Sequence, residues 1–119
     1  MSNQLPAVIA DHIEAVNAFD VDRVVATFAE DALVNDNLRE FWGIESIRNW
    51  VAKEIVGDRV TMNVTEVIRH RGMTVVRARY DGDYDKTNLP DELILTNYFE
   101  VEDGKITTLM IIHNSPAPF

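Results

Sequence analysis

The feature that most constrains this chain is a change of hydrophobic period near Gly57. Before that point apolar residues recur at helical spacing, and after it they alternate every second residue. Leu5, Val8, Ile9, His12, Ile13, Val16 and Phe19 form one stripe, with Asp11, Glu14 and Asn17 on other faces, which predicts an amphipathic first helix. Phe19-Asp20-Val21-Asp22 interrupts the stripe. Val21, Val24, Val25 and Phe28 resume it behind Asp20 as N-cap, which predicts a short second helix. Ile44, Ile47, Trp50, Val51 and Ile55 share one face of a third helix that ends near Gly57, with Glu45 in its first turn, where a negative charge suits the free N–H groups.

The run Ala32-Leu33-Val34-Asn35-Asp36 between the second and third helices reads as a strand. Beyond Gly57, Val60, Met62 and Val64 alternate with Thr61, Asn63 and Thr65, and Arg71-Gly72 turns the chain into a strand from Thr74 to about Tyr84. Leu93, Leu95, Asn97, Phe99 and Val101 then line one face of a third long strand. Asp103-Gly104 is a hairpin signal, and Lys105 to His113 is the last strand. Helices first and strands after them predict an α+β fold, with three N-terminal helices packed on a strongly curved, mainly antiparallel sheet. A chain of 119 residues fits a single domain, 1–119, able to bury a core without staples.

Composition removes several functions. The absence of cysteine excludes disulfides, thiolate metal sites and cysteine nucleophiles. A net charge of −9 opposes binding to nucleic acid or an anionic membrane, so neither is an expected partner. The first fifteen residues lack the basic flank and apolar core of a signal peptide, and no apolar run reaches membrane-spanning length, which makes the cytoplasm the expected compartment. No phosphate-binding loop or serine nucleophile motif occurs, and His12, His113 and Asp36 show no short ligand spacing, so neither a metal nor a cofactor is expected.

Polar residues on apolar faces are the candidates for chemistry. His12 sits one helical turn after Val8 and one before Val16, and a buried imidazole there must find a partner or face a cavity. Asn97 interrupts an apolar strand face, which points its amide inward. Asp36 ends an apolar strand between two amides, so it either makes a turn or overhangs a cavity as a partly desolvated carboxylate. Arg79 and Asp81 share one strand face, but Val76, Ala78 and Tyr80 form a rival apolar face. His113 has the parity of Leu109 and Ile111, while Phe28, Phe41, Trp42 and Trp50 stand at core spacing and could also line a pocket for a flat or cyclic apolar ligand.

Four segments, in this order and spacing, resemble the SnoaL-like proteins of the nuclear-transport-factor-2-like superfamily, which includes the ketosteroid isomerases. They are Phe19-Asp20-Val21-Asp22, Phe28-Ala29-Glu30-Asp31-Ala32-Leu33-Val34, Gly43-Ile44-Glu45-Ser46-Ile47 and Phe99-Glu100-Val101-Glu102-Asp103-Gly104-Lys105-Ile106. The resemblance covers nearly the whole chain. It implies a cone-shaped half-barrel with an apolar pocket open at one end, and a homodimer formed through the outer sheet face. The superfamily contains isomerases, cyclases, epoxide hydrolases, dehydratases and non-catalytic binders, so the fold does not name a reaction.

By the same resemblance, Asp36 falls where ketosteroid isomerases carry their proton-shuttling carboxylate. His12 and Asn97 fall at the two positions that donate to the substrate oxyanion. Asn37 stands where the family motif has proline, and neither oxyanion donor keeps the family identity, so steroid isomerisation itself is not expected. The spacing of Arg79 and Asp81 resembles limonene epoxide hydrolases, whose second aspartate would fall at Ile111. The function implied is binding of a small, apolar, carbonyl-bearing molecule, with cofactor-independent acid–base catalysis of the isomerase or cyclase type. Asp36, His12 and Asn97 would be catalytic; Phe28, Trp50, His113, Arg79 and Asp81 would contact substrate. The alternatives are a non-catalytic ligand-binding or dimeric accessory domain, and epoxide hydrolase-like hydrolysis.

Overall fold

The computed structural model describes residues 5–114. Helices α1 (Ala7–Asn17) and α2 (Val21–Ala26) precede strands β1 (Phe28–Asp36) and β2 (Arg39–Trp42). Helix α3 (Ile44–Trp50) continues into a π-helical turn (Val51–Ile55), and four strands follow: β3 (Thr61–His70), β4 (Met73–Asp81), β5 (Leu93–Glu102) and β6 (Lys105–Ile112). The helices cover one face of a six-stranded, curved, unclosed sheet of order β2-β1-β6-β5-β4-β3. Every neighbouring pair is antiparallel except β1 and β6. Register shifts interrupt the β1–β6, β3–β4 and β5–β6 ladders, and such irregularities bend strands and increase their twist.

The apolar stripe of α1 buries Ile9, Ile13, Ala15 and Val16, with His12 among them. Asp20 caps α2 by accepting the Arg23 backbone N–H at 3.1 Å. At the end of α1, Asn17 bonds both backbone groups of Met62, donating to its carbonyl at 2.9 Å and accepting its N–H at 2.7 Å, which ties helix to sheet. Phe99, Ile9, Ile47, Ile106 and Leu109 are the largest wholly buried apolar side chains and mark the centre of the core. Among the described residues no helix is long and apolar enough to cross a membrane.

Strand β2 has no counterpart in the sequence-based expectation. Asn37 and Leu38 take φ values of 52° and 79°, a two-residue hairpin that pairs Asp36 with Arg39. The usual mark of such a turn is Asn-Gly, and leucine in second place hides it. Asn35 makes the side-chain turn bond, its Oδ1 accepting the Leu38 N–H at 2.9 Å. The neighbouring Asp36 carboxylate is thereby left for other partners. Strand β4 also ends at Asp81, three residues short of the expected Tyr84.

The π-helical turn closes with the Val56 N–H on the Val51 carbonyl at 2.7 Å, and such a turn re-aims the side chains it carries. Gly57 follows at once. A Cβ on Gly57 would run into the Lys53 carbonyl oxygen and lie 2.8 Å from that of Ala52. Gly57→Ala should therefore lower stability by roughly 1–3 kcal/mol. Gly72→Ala, where a Cβ meets nothing within 4 Å, should change it by no more than about 0.5 kcal/mol. Urea midpoints of the two variants measure the contrast, and equal midpoints would contradict the packing described.

Candidate functional site

Asp36 follows the buried Val34 on the inward parity of β1, and its side chain is 22% exposed. Its Oδ2 accepts the Trp50 indole N–H at 3.1 Å and an Arg39 N–H at 3.2 Å. Arg39 forks onto Glu54 as well, with bonds of 3.0 and 2.5 Å, so the guanidinium bridges two carboxylates. The other carboxylate oxygen, Oδ1, has no hydrogen-bond partner among the described residues. Asp36 thus has one oxygen fixed by two donors and one oxygen free.

The carboxylate borders a hollow of about 160 Å³ walled by Ile55, Val60, Tyr80, Leu93, Leu95 and Ile111. An apolar cavity of roughly 150 Å³ accommodates a benzene ring, so this space suits a ligand built on a single ring. Glu54 and Asp58 also reach its border, which makes the rim negative. Among the described residues no group of three or more His, Asp or Glu is arranged to hold a metal ion.

A second hollow of only about 10 Å³ abuts the first, sharing Ile55, Val60, Tyr80 and Ile111, and is bordered further by His12, Trp50 and Asn97. The Tyr80 hydroxyl donates to Asn97 Oδ1 at 2.7 Å, and Asn97 Nδ2 donates to the Val76 carbonyl at 3.2 Å. The second bond fixes which way the amide faces, and so fixes Tyr80 as donor in the first. Burial pushes the Tyr80 phenol well above its ordinary range; the bond to Asn97 opposes this, and the negative charge of Asp36 adds to it. His12 places Nδ1 3.2 Å from the Thr27 hydroxyl and packs edge-on against Phe28 and Phe99, with ring centroids 5.4 and 5.6 Å away. Burial lowers its pKa to about 4, so the imidazole is neutral near pH 7.

Of the eight residues given a catalytic or substrate-contacting role from the sequence, Asp36, His12, Asn97 and Trp50 border these two adjoining hollows. The other four do not. Phe28 is buried against His12. His113 lies beyond the end of β6 and is exposed. Arg79 and Asp81 point away, because Ala78 and Tyr80 take the inward parity of β4. Arg79 pairs with Glu92 at 3.4 Å and Asp81 with Lys86 at 2.8 Å, beside an outer cleft of about 430 Å³ that shares Tyr80, Tyr84, Leu89 and Leu93 with the Asp36 hollow. Sequence reasoning underrated Tyr80, although a phenol on an apolar parity must find a hydrogen-bond partner. Nothing in the sequence signalled Arg39, because the hairpin that brings it to Asp36 was hidden.

The family model for the SnoaL-like domain matches residues 9–109. No curated protein matches the sequence. Among solved structures, a Sinorhizobium meliloti protein provisionally assigned as a polyketide cyclase superposes with a TM-score of 0.81 at 26% identity, over 93% of this chain and 98% of that one. A Catenulispora acidiphila protein of ketosteroid isomerase-like fold, in complex with trimethylamine, gives 0.78 at 17% identity, over 93% and 88%. The epoxide hydrolase/cyclase-like enzyme SalBIII, of pyran ring formation in salinomycin, gives 0.77 at 19% identity, over 90% and 88%.

The burial of His12 sets a pH dependence of stability. Its folded pKa of about 4 lies below the ordinary histidine value of 6.5, so the unfolded chain binds the extra proton between those two pH values. Stability from this group is therefore complete above pH 6.5 and falls as pH drops toward 4, by about 3 kcal/mol in all. Urea unfolding at pH 7 and pH 4 should show this loss in the wild type and lack it in His12→Leu, once the carboxylate contribution common to both is subtracted.

Proposed function

Since the chain belongs to the SnoaL-like domain family, we propose that it binds a small, largely apolar, carbonyl-bearing molecule in the 160 Å³ hollow, and that Asp36 is the general base of a cofactor-independent isomerase- or cyclase-type reaction. The observation that carries this is the asymmetry of the Asp36 carboxylate. Oδ2 is held by Trp50 and Arg39, which fixes the orientation of the group, while Oδ1 has no partner among the described residues, and the side chain lines the hollow. A base needs a free lone pair within reach of the proton it takes, and a position that does not wander.

The surroundings narrow the substrate. Both phenol hydrogens at the border of the hollow are committed, that of Tyr80 to Asn97 and that of Tyr84 to the Tyr80 carbonyl at 3.3 Å. With neither phenol free to stabilise an oxyanion, the reaction suits a C–H whose conjugate base the substrate itself delocalises, such as one between two carbonyl groups. Epoxide hydrolysis loses support, because Arg79 and Asp81 are turned outward and the position of a second acid is the apolar, buried Ile111.

We propose a homodimer through the outer sheet face as well. Tyr98 and Met110 pair across β5 and β6 on that face, and Ile94 and Ile112 remain 36% exposed there.

Two measurements test these proposals. Deuterium exchange into the C–H between the carbonyls of a cyclic β-keto ester, followed by loss of its proton signal, should be accelerated by the wild type. The acceleration should fall about 100-fold or more in Asp36→Asn; equal rates would leave a binding module without this chemistry. Sedimentation should give twice the 13.5 kDa chain mass for the wild type and a shift toward a single chain mass for Ile112→Glu. A wild type that sediments as a single chain at micromolar concentration rules the dimer out.

A further inference from the structure

The small hollow behind Tyr80 holds a group that the Asp36 chemistry does not use. The Thr27 hydroxyl donates its single hydrogen to the Val24 carbonyl at 2.6 Å. Its 3.2 Å contact with His12 Nδ1 must then be completed from the ring, so Nδ1 carries the hydrogen and donates it. The imidazole is neutral, which makes Nε2 a bare lone pair.

Among the described residues, Nε2 has no protein partner, although His12 is only 3% exposed. Yet no fully buried side-chain nitrogen or oxygen of those residues lacks a partner. Both statements hold together only if Nε2 borders open space, and the space that His12 lines is the hollow of about 10 Å³. That volume admits one polar group the size of a water molecule.

The groups around it say which kind. Tyr80 has given its hydrogen to Asn97, and the Trp50 N–H goes to Asp36, so neither can donate to Nε2. Asn97 has one amide hydrogen beyond the one given to Val76. A hydroxyl both donates and accepts, and so matches a hollow lined by a lone pair on His12 and by Asn97, whose amide has a hydrogen left to give. We propose that the ligand is hydroxylated, with its ring in the Asp36 hollow and an O–H that reaches between Ile55, Val60, Tyr80 and Ile111, which line both hollows, to donate to His12 Nε2. This rests on the Asp36 hollow being the ligand site. It reverses the part that the family resemblance implied for His12, from donor to an oxyanion to acceptor from a hydroxyl.

Two-bond proton–nitrogen NMR of the free protein reads the tautomer directly, and Nδ1–H with unprotonated Nε2 is expected. Phenol and anisole then serve as probes, since anisole keeps the ring and the oxygen but has no O–H. Phenol should perturb Nε2 and bind about five- to tenfold tighter relative to anisole than it does in His12→Leu, a ratio that cancels their difference in hydrophobicity. Thr27→Val, which removes the acceptor of Nδ1–H, should shift the ring toward Nε2–H and erase the preference, while Thr27→Ser should keep both. These two variants carry the comparison if His12→Leu does not fold. An Nε2–H tautomer in the wild type overturns the proposal even if both probes bind. Equal normalised affinities, the mark of a hollow that holds only water, overturn it too. If neither probe perturbs the residues around Asp36 or His12, the ligand site itself falls, and the hydroxyl preference with it.

Discussion

One oxygen atom, Asp36 Oδ2, is where three pieces of the chain converge. It lies at the end of β1, accepts an indole N–H from α3, and accepts a guanidinium N–H from β2, which in turn holds Glu54 in the π-helical turn. Each partner solves a problem of the others. A part-buried carboxylate needs donors, a buried indole needs an acceptor, and a guanidinium forked onto Glu54 still has N–H groups to give. Because all three needs are met at one atom, the second oxygen stays available. The apolar hollow beside it is therefore bordered by a carboxylate held in one orientation.

Much of the architecture was legible from spacing alone. The helical stripes and the alternating strands follow from which residues must leave water, and those are visible in the letters. His12 and Asn97 were legible for the same reason, as polar groups at apolar positions whose burial demands a partner. The hairpin at Asn37-Leu38 was not, since leucine at positive φ defies the propensity that marks such turns. Nor was the π-helical turn, which differs from α-helix by one residue of register and leaves no compositional trace. Arg79 and Asp81 show a different limit. Spacing of two places residues on one face of a strand but does not say which face is inside, and the competition was decided by Val76, Ala78 and Tyr80.

Hydrogen-bond direction was the least legible property, and it matters most for chemistry. Whether His12 gives or takes a hydrogen depends on Thr27, fifteen residues away, and on the Val24 carbonyl that takes the threonine hydrogen first. Likewise, Asn97 faces Tyr80 with its oxygen because its nitrogen is occupied by Val76. Such chains of committed donors fix what a pocket can recognise. Residue identity at the matching position of a relative does not, since the same side chain can present either a hydrogen or a lone pair.

The single parallel pairing in the sheet carries a consequence for how the molecule comes together. Asp36 lies opposite Ile111, so the strand that bears the carboxylate acquires its neighbour from about seventy-five residues further along the chain. During synthesis, β1 can form its local hairpin with β2 early, but it waits for β6 before its other edge is paired. Until then it presents unpaired backbone groups and apolar side chains, the condition in which a nascent chain is most prone to pair with a copy of itself. Closure of the hollow and protection of that edge are therefore one late event.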